Sequence, residues 1–183
     1  MNIEPYDDET QRQKRQRKKI KEVELLCAGH WRSIFDVTLT IKQRRRANNG
    51  KWFCADEVQC QQAFWHFRDF LNRAVYGTAA RRYGKRLRMI PVLEKSTDRK
   101  STGGRWHYHV AIEPPTHLDE VEFEALIHKC WAKTDWGYRE VKVRDNANSG
   151  WIKYMLKPSQ KSCFDGWADC IDWFSLNNPV ADA

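Results

Sequence analysis

Two periodicities alternate along this chain. Phe35-Asp36-Val37-Thr38-Leu39-Thr40-Ile41 places apolar side chains at every second position and is rich in β-branched residues. That pattern predicts a strand with Val37, Leu39 and Ile41 on one face. From 56 to 76 the spacing becomes helical, with Ala63, Phe64, Phe67, Phe70, Leu71 and Val75 as the apolar stripe. Asp56 supplies an N-cap and Gly77 a stop. Leu87 to Lys95 predicts a second strand, and the polar stretch Ser96 to Gly104 joins it to a third over 105–113. This is a hairpin pattern with a long, glycine-containing turn, closed by Pro114 and Pro115. Leu118 to Ala132 predicts an amphipathic helix, with Val121, Phe123, Leu126, Ile127 and Trp131 as its apolar set. Tyr138 to Arg144 alternates again. A short helix opens at Asn148 or Ser149 and stops near Pro158, and residues 163–176 suggest a last one. The order strand, helix, strand, strand, helix, strand, helix predicts an α+β domain with a central antiparallel β-sheet flanked by helices. The expected boundaries are an N-terminal arm over 1–30, a domain over 31–160 and a C-terminal extension over 161–183.

The third strand carries Arg105-Trp106-His107-Tyr108-His109-Val110. Side chains alternate across a strand, so His107 and His109 point the same way and can bind one metal ion. Polar side chains on a wet sheet face look the same, and a third ligand would separate the two cases. If strands 87–95 and 105–113 pair around a turn near 100–101, Glu94 faces His107 on the same side. A slip of one residue would turn Glu94 away. Two imidazoles and a carboxylate suit Mn²⁺ or Mg²⁺, and could also take Co²⁺, Ni²⁺ or Zn²⁺. Such an ion would polarise a scissile phosphate.

Downstream, Trp151-Ile152-Lys153-Tyr154-Met155-Leu156-Lys157-Pro158 sets Tyr154 and Lys157 three apart, on one helical face. Lys153 and Lys157 are cations near the Tyr154 phenol, which favours the phenolate and attack on phosphorus. The plainer reading is a packed ring with a surface hydroxyl, and a lysine suited to the helix end. Tyr108 lies between the histidines on the opposite face and belongs to the core. Tyr138 is a weaker nucleophile candidate.

Charge extends this picture. Lys and Arg exceed Asp and Glu by 32 − 24 = 8, which suits a polyanionic partner such as nucleic acid. The basic residues cluster in three places. Arg44, Arg45 and Arg46 sit in a loop with Asn48, Asn49 and Gly50. Arg81, Arg82, Lys85, Arg86 and Arg88 surround Tyr83 and Gly84. Arg12 to Lys21 form a basic run behind an acidic start, which is a solvated tail or a phosphate-touching arm. Trp106 and Trp151 are candidate exposed aromatics for base stacking. The six cysteines form no Cys-x-x-Cys pair, which argues against a structural zinc site. They read as reduced, mostly buried thiols of a cytoplasmic protein. The sequence contains no membrane-length apolar run and no signal-peptide core.

Three ordered motifs resemble the HUH endonuclease superfamily, named for histidine-hydrophobic-histidine. Phe35 to Thr40 is similar to its first strand motif, His107-Tyr108-His109 to the HUH motif, and Tyr154-Met155-Leu156-Lys157 to its Tyr-x-x-Lys motif. Within the superfamily the chain looks most like single-tyrosine, Rep-type rolling-circle replication initiators of plasmids, phages and small single-stranded DNA viruses. The resemblance implies a five-stranded antiparallel sheet with flanking helices. It also implies a divalent-metal-dependent nick in single-stranded DNA or origin hairpin DNA, a covalent 5′-phosphotyrosine and a free 3′-hydroxyl. Tyr154 would be the nucleophile, Lys157 its catalytic neighbour, His107 and His109 the ligands, and Glu94 the acidic third ligand. The expected partners are DNA, host helicase and replication proteins, with no membrane. The sequence has one candidate tyrosine in the motif and no Gly-x-x-x-x-Gly-Lys-Ser/Thr loop. Alternatives are a single-tyrosine transposase, a relaxase or a non-catalytic module that binds single-stranded nucleic acid.

Overall fold

The computed structural model describes residues 33–47, 49–96, 104–145 and 149–155, with isolated positions 14, 18, 21, 22, 31 and 147. The N-terminal arm, the hairpin turn at 97–103, the expected helix at 163–176, and Cys27, Cys163 and Cys170 lie outside the described residues. In chain order the elements are β1 (Phe35–Ile41), β2 (Arg44–Arg46), β3 (Trp52–Cys54), α1 (Glu57–Tyr76), α2 (Thr78–Arg82), β4 (Met89–Ser96), β5 (Arg105–Ile112), α3 (Glu120–Ala132), β6 (Gly137–Arg144) and α4 (Ser149–Met155). Four strands form an antiparallel sheet in the order β4-β5-β1-β6. The α+β architecture is therefore as expected, with helices packed on the sheet.

Local chemistry sets the helix starts. Asp56 and Gln59 form a reciprocal capping box, each side chain accepting from the other's backbone N–H at 2.9 Å. Asp119 caps α3 by accepting from Glu122 N at 2.7 Å. Gly77 takes a positive φ of 56° where α1 ends. Both long helices then bury their stripes on one face of the sheet. Phe35, Val37, Leu39, Ile41, Leu93, Tyr108, Val110 and Ile112 share a core with Phe64, Phe67 and Leu71 of α1 and Phe123, Ile127 and Trp131 of α3. The Phe67 and Trp131 rings meet edge-on at 5.7 Å, and Phe64 lies 4.9 Å from Tyr108. Trp131 Nε1 donates to the Thr40 carbonyl at 2.9 Å, which locks α3 to β1. At the turn from α3 into β6, a side chain on Gly137 would collide with the Trp131 carbonyl, so only glycine fits.

Several expectations need correction. The main sheet has four strands among the described residues, not five. Arg44 to Gly50 is not simply a loop. Arg44–Arg46 pair with Trp52–Cys54 in a separate two-stranded ribbon, and all six residues are exposed, so neither strand has a buried face to merge with the sheet. Val121 lies outside the apolar stripe of α3 and is 78% exposed, while Cys130 takes a buried place. Arg88 is not part of a surface patch. It is buried, pairs with Glu113 Oε2 at 3.1 Å and lies 5.6 Å from the Trp31 ring. Cys60 and Cys130 are buried as expected, but Cys54 is exposed. No described helix is long and apolar enough to cross a membrane.

Candidate metal centre

The sheet face away from α1 and α3 carries the candidate chemistry. β1 buries Val37, Leu39 and Ile41 on the core side, so Asp36, Thr38 and Thr40 point the other way. The β4–β5 ladder sets Glu94 opposite His107 and Val92 opposite His109. On the other side of β5, His107 pairs with Thr40 and His109 with Thr38. The register expected from the hairpin is thus the one observed. Tyr108, between the histidines, is fully buried in the core.

One carboxylate oxygen is equidistant from both imidazoles. Glu94 Oε2 lies 3.6 Å from His107 Nε2 and 3.6 Å from His109 Nε2. The two rings stand nearly perpendicular, with centroids 5.0 Å apart. All three ligand atoms lie within 4.8 Å of one another, and this is a group that could hold a metal ion. Two atoms bound about 2.1 Å from one ion, and about 90–110° apart around it, sit about 3.0–3.4 Å from each other. The observed spacing is a few tenths of an ångström wider, which small side-chain rotations close.

The remaining ring nitrogens support the same fit. His107 Nδ1 lies 3.1 Å from the Arg105 carbonyl, which can only accept, so Nδ1 carries the proton. That leaves the Nε2 lone pair directed at Glu94. His109 Nδ1 lies 3.3 Å from Thr38 Oγ1, a hydroxyl that accepts from Nδ1–H when Nε2 is a ligand. Outer partners of this kind fix tautomer and ring orientation at metal sites. Sequence reasoning does not single out Thr38 as part of the site, although the alternation of β1 already sets it on this face.

Helix α4 lies beside the centre. The Trp151 ring meets His109 edge-on, with centroids 6.3 Å apart. Ile152 and Met155 are buried and seat the helix, whereas Tyr154 is 53% exposed. Tyr154 follows Trp151 by three residues and so shares its side of the helix. Lys157 and the Lys153 side chain lie outside the described residues. Tyr138 is half-exposed on β6.

The basic clusters are not equivalent. The ribbon follows directly on β1, whose Thr40 pairs with His107. Arg81, Arg82, Lys85 and Arg86 instead precede β4 at Met89, five residues from Glu94 and about 17 Å away along the strand. Arg86 lies 3.8 Å from Asp69. Trp106 is no free stacking platform, because its indole N–H donates to the Ala55 carbonyl at 3.1 Å and its ring packs on the core. Trp52 and Phe53 are exposed aromatics that sequence reasoning misses, since Trp-Phe-Cys looks like a stretch bound for the core.

An antiparallel sheet with helices on one face and a Glu-His-His cluster on the other defines a Rep-like α+β protein. A family model for replication-associated proteins of the ORF2 type matches residues 34–162, most of the chain, and the chain belongs to that family of replication-associated proteins. No curated protein and no solved structure matches it.

Proposed function

We propose that this chain is a metal-dependent endonuclease that nicks and rejoins single-stranded DNA to initiate rolling-circle replication. The observation that carries this reading is the Glu94–His107–His109 cluster beside the helix that bears Tyr154, in a chain of a replication-associated family. Mn²⁺ or Mg²⁺ held by those three residues would supply Lewis-acid polarisation of the scissile phosphate. The chain's own groups do the rest. The Tyr154 phenolic oxygen attacks phosphorus as its proton leaves. The bond to the 3′-oxygen breaks, and that oxygen takes up a proton to become a free 3′-hydroxyl. A 5′-phosphotyrosine remains, and the reverse reaction rejoins the ends. Lys153 and Lys157 would favour the phenolate and grip the phosphate. Arg44, Arg45 and Arg46 would hold the strand near the centre, with Arg81, Arg82, Lys85 and Arg86 holding more distant DNA. Single-stranded or origin hairpin DNA would be the substrate, host helicase and replication proteins the partners, and the cytoplasm the setting.

A labelled single strand incubated with protein and Mn²⁺ should give a denaturation-resistant adduct that EDTA suppresses. Tyr154→Phe should abolish the adduct and leave DNA binding largely intact. A full-strength adduct from Tyr154→Phe would move the nucleophile elsewhere, Tyr138 first. DNA binding by the unmodified protein with no adduct under any metal would reduce the chain to a binding module.

A further inference from the structure

The β2–β3 ribbon has two unlike faces. Its register pairs Arg44 with Cys54, Arg45 with Phe53 and Arg46 with Trp52. Arg44, Arg46, Trp52 and Cys54 therefore share one face, and Arg45 and Phe53 the other. Arg45 Nη1 is committed to Asp135 at 2.8 Å, which ties its face to the turn after α3. On the opposite face the Arg44 guanidinium lies 4.9 Å from the Trp52 ring centroid. Trp52 is nevertheless 60% exposed. Arg46 uses Nε to donate to the Gly50 carbonyl at 3.1 Å, a bond that engages none of its terminal N–H groups. A large, solvent-facing indole with cations beside it is costly to expose without a partner, and it matches a nucleotide's flat base and charged phosphate.

The base of the ribbon is rigid. Gln43 spans to β5 with both amide atoms: Trp106 N donates to its Oε1 at 2.9 Å, and its Nε2 donates to the Trp106 carbonyl at 3.1 Å. Ala55 N donates to the Gln43 carbonyl at 2.9 Å, and the Trp106 indole donates to the Ala55 carbonyl. Both ends of the ribbon are thus fastened at the residue before His107. From Thr40, which faces His107, to Arg44 is four residues, about 13 Å of extended chain at most. That reach corresponds to a few nucleotides.

We propose that this ribbon is a single-strand clamp, in which a base stacks on the open side of Trp52 while Arg44 backs the ring and Arg46 holds the adjoining phosphate. The clamp would fix the strand a few nucleotides from the candidate metal centre. The proposal rests on the single-stranded DNA reading above but not on its chemistry, so binding can be measured with the metal removed.

The test is fluorescence anisotropy of a labelled single-stranded oligonucleotide of about 30 residues with the full chain in EDTA. Trp52→Ala should weaken binding about tenfold without changing the salt slope, because stacking on a neutral ring releases no counterion. Trp52→Phe should recover most of that loss. Arg46→Ala should reduce the log–log salt slope by about 0.7, the value of one phosphate on a single strand. Trp52→Ala binding at wild-type strength would overturn the clamp, even if the wild-type protein nicks. An equal loss for Trp52→Ala on blunt duplex would also overturn it, in favour of a duplex contact. Trp52-dependent binding by a protein that forms no adduct would overturn the nickase reading and leave the clamp standing.

Discussion

The two faces of the sheet are cut from the same strands, yet they differ in almost every physical respect. On one, Leu39, Tyr108 and Val110 have no solvent exposure and meet the aromatic stripes of α1 and α3. On the other, the neighbours of those same residues are Thr38, Thr40, His107 and His109, half-buried and polar, with both imidazoles held by hydrogen bonds of 3.1 and 3.3 Å. A period of two lets a single strand hold the fold together on one side and carry chemistry on the other. Substitutions on the two faces should therefore fail in different ways. Core changes should cost stability, and changes on the polar face should cost metal binding and turnover.

The largest effect is expected from the core. Phe67 is fully buried and packs on both Phe64 and Trp131. Phe67→Ala should cost about 3–5 kcal/mol by lost transfer energy and an unfilled cavity. For a domain with a typical total of about 5–15 kcal/mol, that is a large share. Urea unfolding followed by tryptophan fluorescence measures it. A loss below about 1 kcal/mol would mean that the α1–α3 contact is not the main support of this face.

His109→Ala should give the converse pattern. Removing even an outer partner of a metal ligand typically costs about 10–100-fold in affinity, so loss of the ligand itself should reach or exceed the upper end. Manganese binding by calorimetry and adduct yield should fall together, while the unfolding midpoint in EDTA should stay close to the wild-type value. Glu94→Ala should behave alike. Wild-type manganese affinity in either variant would detach the cluster from metal binding, and a collapsed midpoint would make these residues structural.

This division explains what the sequence disclosed. Strong periodicity made α1 legible to within a residue, because Asp56 and Gly77 are chemical punctuation as well as pattern. Glu94 was legible because hairpin pairing is arithmetic: once one pair is fixed, every other follows. The ribbon was not legible as strands. Its three-residue strands have no buried face, so they leave no alternation to detect, and the exposure of Trp52 is set by tertiary placement alone. Arg88 misled for a related reason. A basic run marks a surface only when no buried carboxylate awaits one of its members, and Glu113 lies 25 positions away. Val121 fell on a helical stripe by spacing, but the start of α3 projects past the sheet.

The smallest effect expected lies where the two faces meet. Asp36 points to the polar side of β1 but is buried, and it pairs in register with Arg144. Burial pushes its carboxyl pKa up, and the attraction of Arg144 only partly offsets that rise. A raised folded-state pKa means that the folded chain holds this proton to higher pH than the unfolded chain does. Its contribution to stability is then fully present below the ordinary carboxylate pKa of about 3.9 and is lost as pH rises through the folded value. Asp36→Asn removes the titration. The variant should match the wild type at pH values below that ordinary pKa and gain on it as pH rises towards neutrality, by less than either substitution above changes its own readout. Thermal unfolding across that range at constant ionic strength measures the difference. A variant that is less stable than the wild type at neutral pH would show that Arg144 outweighs desolvation, so that Asp36 acts as half of an ion pair rather than as a buried carboxyl at the edge of the polar face.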